Sequence, residues 1–123
     1  MNYMATSINE SPVIVDKAGA VLADVRGRAV KFDGTGAIVL AAAGEKALGV
    51  GIMTNDTDIK EGEDVHVQHT AIGLVYAGAA ITKGAELEVG TEGALIPVAS
   101  GEPVALALEA ATGAGVYVKA IIL

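Results

Sequence analysis

The chain has no cysteine and no tryptophan, and its 123 residues include one phenylalanine and three tyrosines. The lack of cysteine excludes disulfides, thiolate nucleophiles and soft metal ligands together. It fits a protein made in a reducing cytoplasm. The scarcity of aromatics (Tyr3, Phe32, Tyr76, Tyr117) leaves Ala, Val, Leu and Ile, with 16 Gly between them, to build the interior. Such side chains suit thin, closely paired sheets.

Positive charge is also scarce. Eight Lys and Arg stand against fifteen acids, a net charge of −7. Residues 1–33 are balanced, with Lys17, Arg26, Arg28 and Lys31 against Glu10, Asp16, Asp24 and Asp33. Everything after them carries four Lys against eleven acids. An acidic body of this kind repels a phosphate backbone, so nucleic acid is not expected as a partner.

Long apolar runs are missing. The longest aliphatic stretch, Ala37–Ala43, is far short of the roughly 20 residues a membrane helix needs. The start of the chain, M-N-Y-M-A-T-S-I-N-E-S-P, has no basic segment followed by an apolar one and does not read as a secretory signal. It reads as a loose polar arm, Met1–Pro12, ahead of a single β domain over residues 13–123.

What the chain does have is alternation with a period of two. Val65 and Val67 share one phase, with His66 and Gln68 on the other. Ala85, Leu87 and Val89 alternate with Glu86 and Glu88. Val104, Leu106 and Leu108 alternate with Ala105 and Ala107. Val116, Val118 and Ala120 alternate with Tyr117, Lys119 and Ile121. These are half-buried strands.

Turn signals separate them: Asp33-Gly34-Thr35-Gly36 joins Ala29–Phe32 to Ala37–Ala41, and Gly90-Thr91-Glu92-Gly93 joins Ala85–Val89 to Ala94–Val98. Pro97 and Pro103 belong at strand edges or ends. Ala105–Thr112 fits a short helix or a strand. An internal echo, I-x-x-G-x-[DE]-[VL], starts at Ile59 and again at Ile81 and predicts two similar turns. The reading is all-β, with at most one or two short helical turns. With 52% apolar residues, such a domain has surplus apolar surface for a subunit interface.

No constellation of residues supports catalysis. In a strand, His66 and His69 point to opposite faces and do not converge on a metal. Gly34-Thr35-Gly36 lacks the third glycine and the following helix of a phosphate loop. Ser7, Ser11 and Ser100 have no nucleophile-elbow context. Glu86 with Glu88, and Glu63 with Asp64, read as solvated strand and turn positions rather than a hydrolytic pair. No enzyme activity, cofactor, metal or small-molecule substrate is expected.

Val15-Asp16-Lys17-Ala18 resembles the turn on which lipoyl and biotinyl carrier domains bear their modified lysine, although only sixteen residues precede Lys17. The plain reading is a polar turn at Lys17-Ala18-Gly19. Arg26, Arg28 and Lys31 form the only basic cluster. It serves either to dock on an acidic partner or to blunt a solvated strand edge.

The stretch from Ala77 to Leu123 resembles the tailed-phage capsid cement, or head-decoration, proteins. Ile81, Gly84, Leu87, Gly93, Leu95, Pro97, Leu108, Glu109, Ala110, Ala111, Gly115, Val116, Val118 and Leu123 follow that family's outline in order and spacing. Ala47–Ile52 fits it more loosely, and Ala105 stands where the family often has Gly. The first 35 residues have no counterpart. The resemblance implies a small β-barrel or β-tulip subunit of the virion, made in the host cytoplasm, that sits as a homotrimer on the outer surface of a phage head and binds the major capsid protein. Asn2, Tyr3, Met4 and Ile8 of the arm, with Arg26, Arg28 and Lys31, are the candidate capsid contacts. The base domain of a head fibre is the alternative. Against it, the chain stops at Leu123 on an apolar strand, with no fibrous repeat.

Overall fold

The computed structural model describes residues 11–123. Ten strands follow one another: β1 Val13–Lys17, β2 Ala29–Phe32, β3 Ile38–Leu40, β4 Gly49–Gly51, β5 Asp64–Gln68, β6 Ala71–Tyr76, β7 Glu86–Val89, β8 Leu95–Pro97, β9 Ala105–Ala107 and β10 Tyr117–Ile122. One 3-10 turn, Thr91–Gly93, is the helical element among the described residues. They form two five-stranded antiparallel sheets, in the orders β1-β5-β4-β2-β3 and β6-β10-β9-β7-β8. The chain is all-β.

The second sheet repeats the first strand for strand, and the repeat extends to the register. In the first unit Val30 faces Leu40 and Ala29 faces Val50. In the second, Leu87 faces Pro97 and Glu86 faces Leu106. Val13 opposite Gln68 becomes Ile72 opposite Ile121. Loop bonds repeat as well: the Gly62 N–H donates to the Ala18 carbonyl at 2.8 Å, and the Gly115 N–H to the Ala77 carbonyl at 2.9 Å. Both glycines have positive φ, +87° and +92°, a conformation other residues adopt only under strain.

The echo at Ile59 and Ile81 marks two similar turns, as expected. The Glu63 N–H donates to the Lys60 carbonyl at 3.1 Å and the Ala85 N–H to the Thr82 carbonyl at 3.0 Å. Gly62 and Gly84 have φ +87° and +89°, although the two turns hold different places in their units. The structurally equivalent segments are Ala18-Gly19-Ala20-Val21-Leu22 and Ala77-Gly78-Ala79-Ala80-Ile81. Each opens with an alanine bridged to the outer hairpin strand, Ala18 to Ile38 and Ala77 to Leu95. Each closes with a residue bridged antiparallel, Leu22 to Ile59 and Ile81 to Ala111.

Neither sheet closes into the barrel that the resemblance implies. Closure needs a ladder between first and last strands. Here β1 and β3, and likewise β6 and β8, meet only at the single parallel bridges just named. The reason is length: β3 and β8 have three residues each, and Pro97 in β8 has no N–H to give.

Both predicted hairpins form, β2-β3 and β7-β8. In the first, the Asp33 carboxylate takes the Thr35 and Ala37 N–H groups at 2.8 and 3.0 Å, and Gly36 supplies φ +85°. Ala105–Thr112 contributes a strand, β9, and no helix. In β9 the small residues face the core: Ala105 and Ala107 are buried while Leu106 is half-buried on the outside. Both lie between neighbouring strands, opposite Leu87 and Ala120.

Two apolar clusters result. One lies within the first unit and includes Leu22, Val25, Val30, Ile38, Ile59, Val65 and Val67. The other fills the second unit, and Ala29, Ala41 and Val50 reach into it from the first.

Candidate functional site

The basic cluster lies where the two units meet. Lys31 is not at a strand edge, as the blunting reading required, because β2 runs between β4 and β3, and Arg26 and Arg28 lie on the segment leading into β2. The three cations are each engaged within the chain. Arg26 forks onto Asp24, Nε to Oδ1 at 3.0 Å and Nη2 to Oδ2 at 3.1 Å. That contact holds the Asp24 carboxyl below its usual range and raises the guanidinium. Lys31 Nζ donates to Glu45 Oε1 at 2.8 Å, and Glu45 also takes the Ala42 N–H. Lys31 first, and then that N–H, keep the Glu45 carboxyl low.

Arg28 performs a different task. Its guanidinium lies 4.2 Å from the centroid of the Tyr76 ring, and Nη1 donates to the Glu92 carbonyl at 3.0 Å. Tyr76 meets Tyr117 edge-on, with centroids 5.4 Å apart. Next to it, the Tyr76 N–H donates to the Gly27 carbonyl at 2.7 Å. A Cβ on Gly27 would stand 2.8 Å from that nitrogen, and the residue has φ +69°. Arg26, Arg28 and Lys31 are thus partnered groups around a junction rather than a free cationic patch.

Of the other candidates, Asn2, Tyr3, Met4 and Ile8 lie outside the described residues. Ser11 and Pro12, the end of the expected arm, are tied to His69: its N–H donates to the Pro12 carbonyl at 3.0 Å, and its Nε2 lies 2.8 Å from the Ser11 carbonyl. His66 is exposed on β5, while His69 lies past the end of that strand with its ring against the Ser11 carbonyl. No group of three or more acids and histidines among the described residues could hold a metal ion.

Lys17 is not in a turn. It ends β1 opposite Asp64, and its Nζ donates to Asp64 Oδ1 at 2.6 Å. The hydrogen bond and charge lower Asp64 and raise Lys17. The carrier reading loses the hairpin tip that would present its lysine. A cleft of about 250 Å³ beside this pair is lined by Thr54, Asn55, Asp56, Ile59, Glu63, Asp64 and His66. Its one buried polar residue is already satisfied, since Asn55 bonds the Ile52 and His66 carbonyls and the His66 N–H.

Glu88, expected in solvent beside Glu86, is buried. The loop after β8 folds over it, and the Ala99 N–H donates to Glu88 Oε1 at 2.9 Å. Gly101 packs directly against its other oxygen, with no room for a Cβ.

Sequence reasoning missed the outer face of the second sheet. Ile72, Leu74 and Leu123 are 60%, 39% and 62% exposed there, beside half-buried Leu106 and Ile121. The signal that would have found it is the Ala-Gly-Ala repeat, because aligning the units on it exposes their differences.

Comparison with known proteins bears on the arrangement as a whole. No family model and no curated protein matches the chain. A solved structure does: the head fibre gp8.5 N base of bacteriophage phi29, at 23% identity and a TM-score of 0.67. The two chains share a fold. The correspondence covers 90% of this chain and 92% of the phage one, so it takes in both five-stranded units.

Proposed function

We propose that this chain is a structural protein of a tailed-phage head, seated on the outer surface of the shell through the major capsid protein and working as a homotrimer. The observation that carries the reading is the near end-to-end likeness to a head-fibre base. The resemblance of Ala77–Leu123 to head-decoration proteins supports it separately.

Between the two forms of that role, the base of a projecting appendage is favoured over a cement coat. The solved neighbour is itself a base, and this chain spans 92% of it. A base module does not need the fibrous repeat whose lack weighed against it, because the projection belongs to whatever the base carries. Avidity from a trimer turns three weak contacts into durable attachment.

Imaging undecorated heads after adding the purified protein tests the proposal. Density at a few symmetry-related sites is the result expected of a base. Density at every lattice position favours the cement form, and bare heads overturn both.

A further inference from the structure

The two units are alike enough to serve as controls for each other, and one face differs between them. On the first sheet, the register sets Ala29, Val50 and Gln68 in a row across β2, β4 and β5. That row is covered by the second unit. Ala29 and Val50 are 0% and 3% exposed and share a cluster with Val75, Ala77 and Leu95. Gln68 donates from Nε2 to the Ile72 carbonyl at 2.9 Å, and Gly73 leaves no space for a Cβ beside it.

The equivalent row on the second sheet is Glu86, Leu106, Ile121 and Ile72. No third unit exists in the described chain to cover it. Ile72 and Leu74 stand 60% and 39% exposed on β6, and Leu123 at the end of β10 is 62% exposed. Together with Leu106 and Ile121 they make an apolar strip, and at the place of Ile121 the first unit has Gln68. The fold tolerates a polar residue at that place, so an apolar one is not needed there for folding. Lys119, opposite Leu74 on β10, and Glu86, opposite Leu106 on β7, are exposed and enter no ion pair among the described residues.

We infer that this strip is the docking face for a second copy of the chain. Two features select a copy over an unrelated partner. Within one chain, a unit of this same fold already covers the equivalent face. And this face carries one exposed cation and one exposed anion, Lys119 and Glu86, without an ion-pair partner among the described residues, which a copy can answer with their opposites. The inference deepens the self-association in the reading above and rests on it.

The experiment is light scattering on full-length protein at micromolar concentration. Ile72→Glu and Ile121→Gln are measured beside Val15→Glu, the counterpart of Leu74 on the first unit, itself 50% exposed. The wild type and Val15→Glu are expected to show a multiple of the 12.3 kDa chain mass. Both strip variants are expected to fall to that mass with an unchanged circular dichroism spectrum. Ile72 is exposed enough for its substitution to leave folding intact, which keeps the result readable even if Ile121→Gln unfolds. A strip variant that retains the wild-type mass overturns the inference, and so does a monomeric wild type. Head binding is scored in parallel. A monomer that still binds heads removes the docking face and leaves the head reading standing, and a multiple that ignores heads does the reverse.

Discussion

Arg28 stands over the ring of Tyr76, 4.2 Å from its centroid, and so joins the first five-stranded unit to the second. The same guanidinium reaches the Glu92 carbonyl in the turn between β7 and β8. One side chain thus grips the second unit at two places.

Arg28→Ala should therefore lower unfolding free energy by about 1–2 kcal/mol, the sum of a partly exposed cation–π contact and a charged hydrogen bond. Urea denaturation measures it. Arg28→Lys should recover only part, since an ammonium lacks the planar fork. A loss of under about 0.3 kcal/mol would mean the junction is held elsewhere, by Ala29, Val50, Gln68 and the bond from the Tyr76 N–H to the Gly27 carbonyl.

Glycines at closely approaching backbones give a sharper contrast. A Cβ on Gly51 would collide with the Val25 carbonyl, while Gly34 has open space around it. Gly51→Ala should cost about 2–3 kcal/mol, because backbone rather than a flexible side chain must shift. Gly34→Ala should be neutral or slightly stabilising, through the unfolded chain. Thermal melts of the two variants check the pair, and equal melting temperatures would contradict the geometry.

Acid should weaken the fold. Asp24, Asp33, Glu45 and Asp64 all titrate below their ordinary values, held by Arg26, the Thr35 hydroxyl, Lys31 and Lys17 respectively. A depressed folded pKa means the unfolded chain binds the proton first, so stability is full above the ordinary values of 3.8 and 4.5 and falls as pH drops through the folded ones. Melting temperature should be flat from neutral pH to about 5 and decline below about 4. Asp33→Asn should flatten part of that decline. A profile with no acid limb would contradict these contacts.

Removing Met1–Glu10 should leave the fold intact, because the Pro12 carbonyl still receives the His69 N–H. If the arm is the capsid anchor, the truncated protein keeps its melting temperature and its mass in solution yet loses head binding at least tenfold. Full occupancy of heads by the truncated protein would remove the arm, and with it Asn2, Tyr3, Met4 and Ile8, from the docking account.

Much of the fold was legible because a half-buried strand writes its burial into every second residue. The D-G-T-G and G-T-E-G turns and the strand at Val65–Gln68 came straight from that pattern and from glycine placement. Closure was not legible, because barrel and open sheet share the same alternation and differ only in whether β1 meets β3 along a ladder or at one bridge. Glu88 read as solvated because alternation assigns a face, not what a later loop lays over it. Arg26, Arg28 and Lys31 read as a patch because spacing along the chain does not reveal Asp24, Tyr76 and Glu45 as their partners. The duplication was faint because the units retain little common sequence beyond Ala-Gly-Ala and a few apolar positions, while register and positive-φ glycines carry the likeness.

The most direct test of the account is cosedimentation of the purified full-length protein with undecorated heads of the phage that encodes it. The account predicts saturable binding, at a fixed small number of copies per head, that survives extensive washing. Absence of the protein from the head pellet at concentrations far above its own association threshold would contradict it.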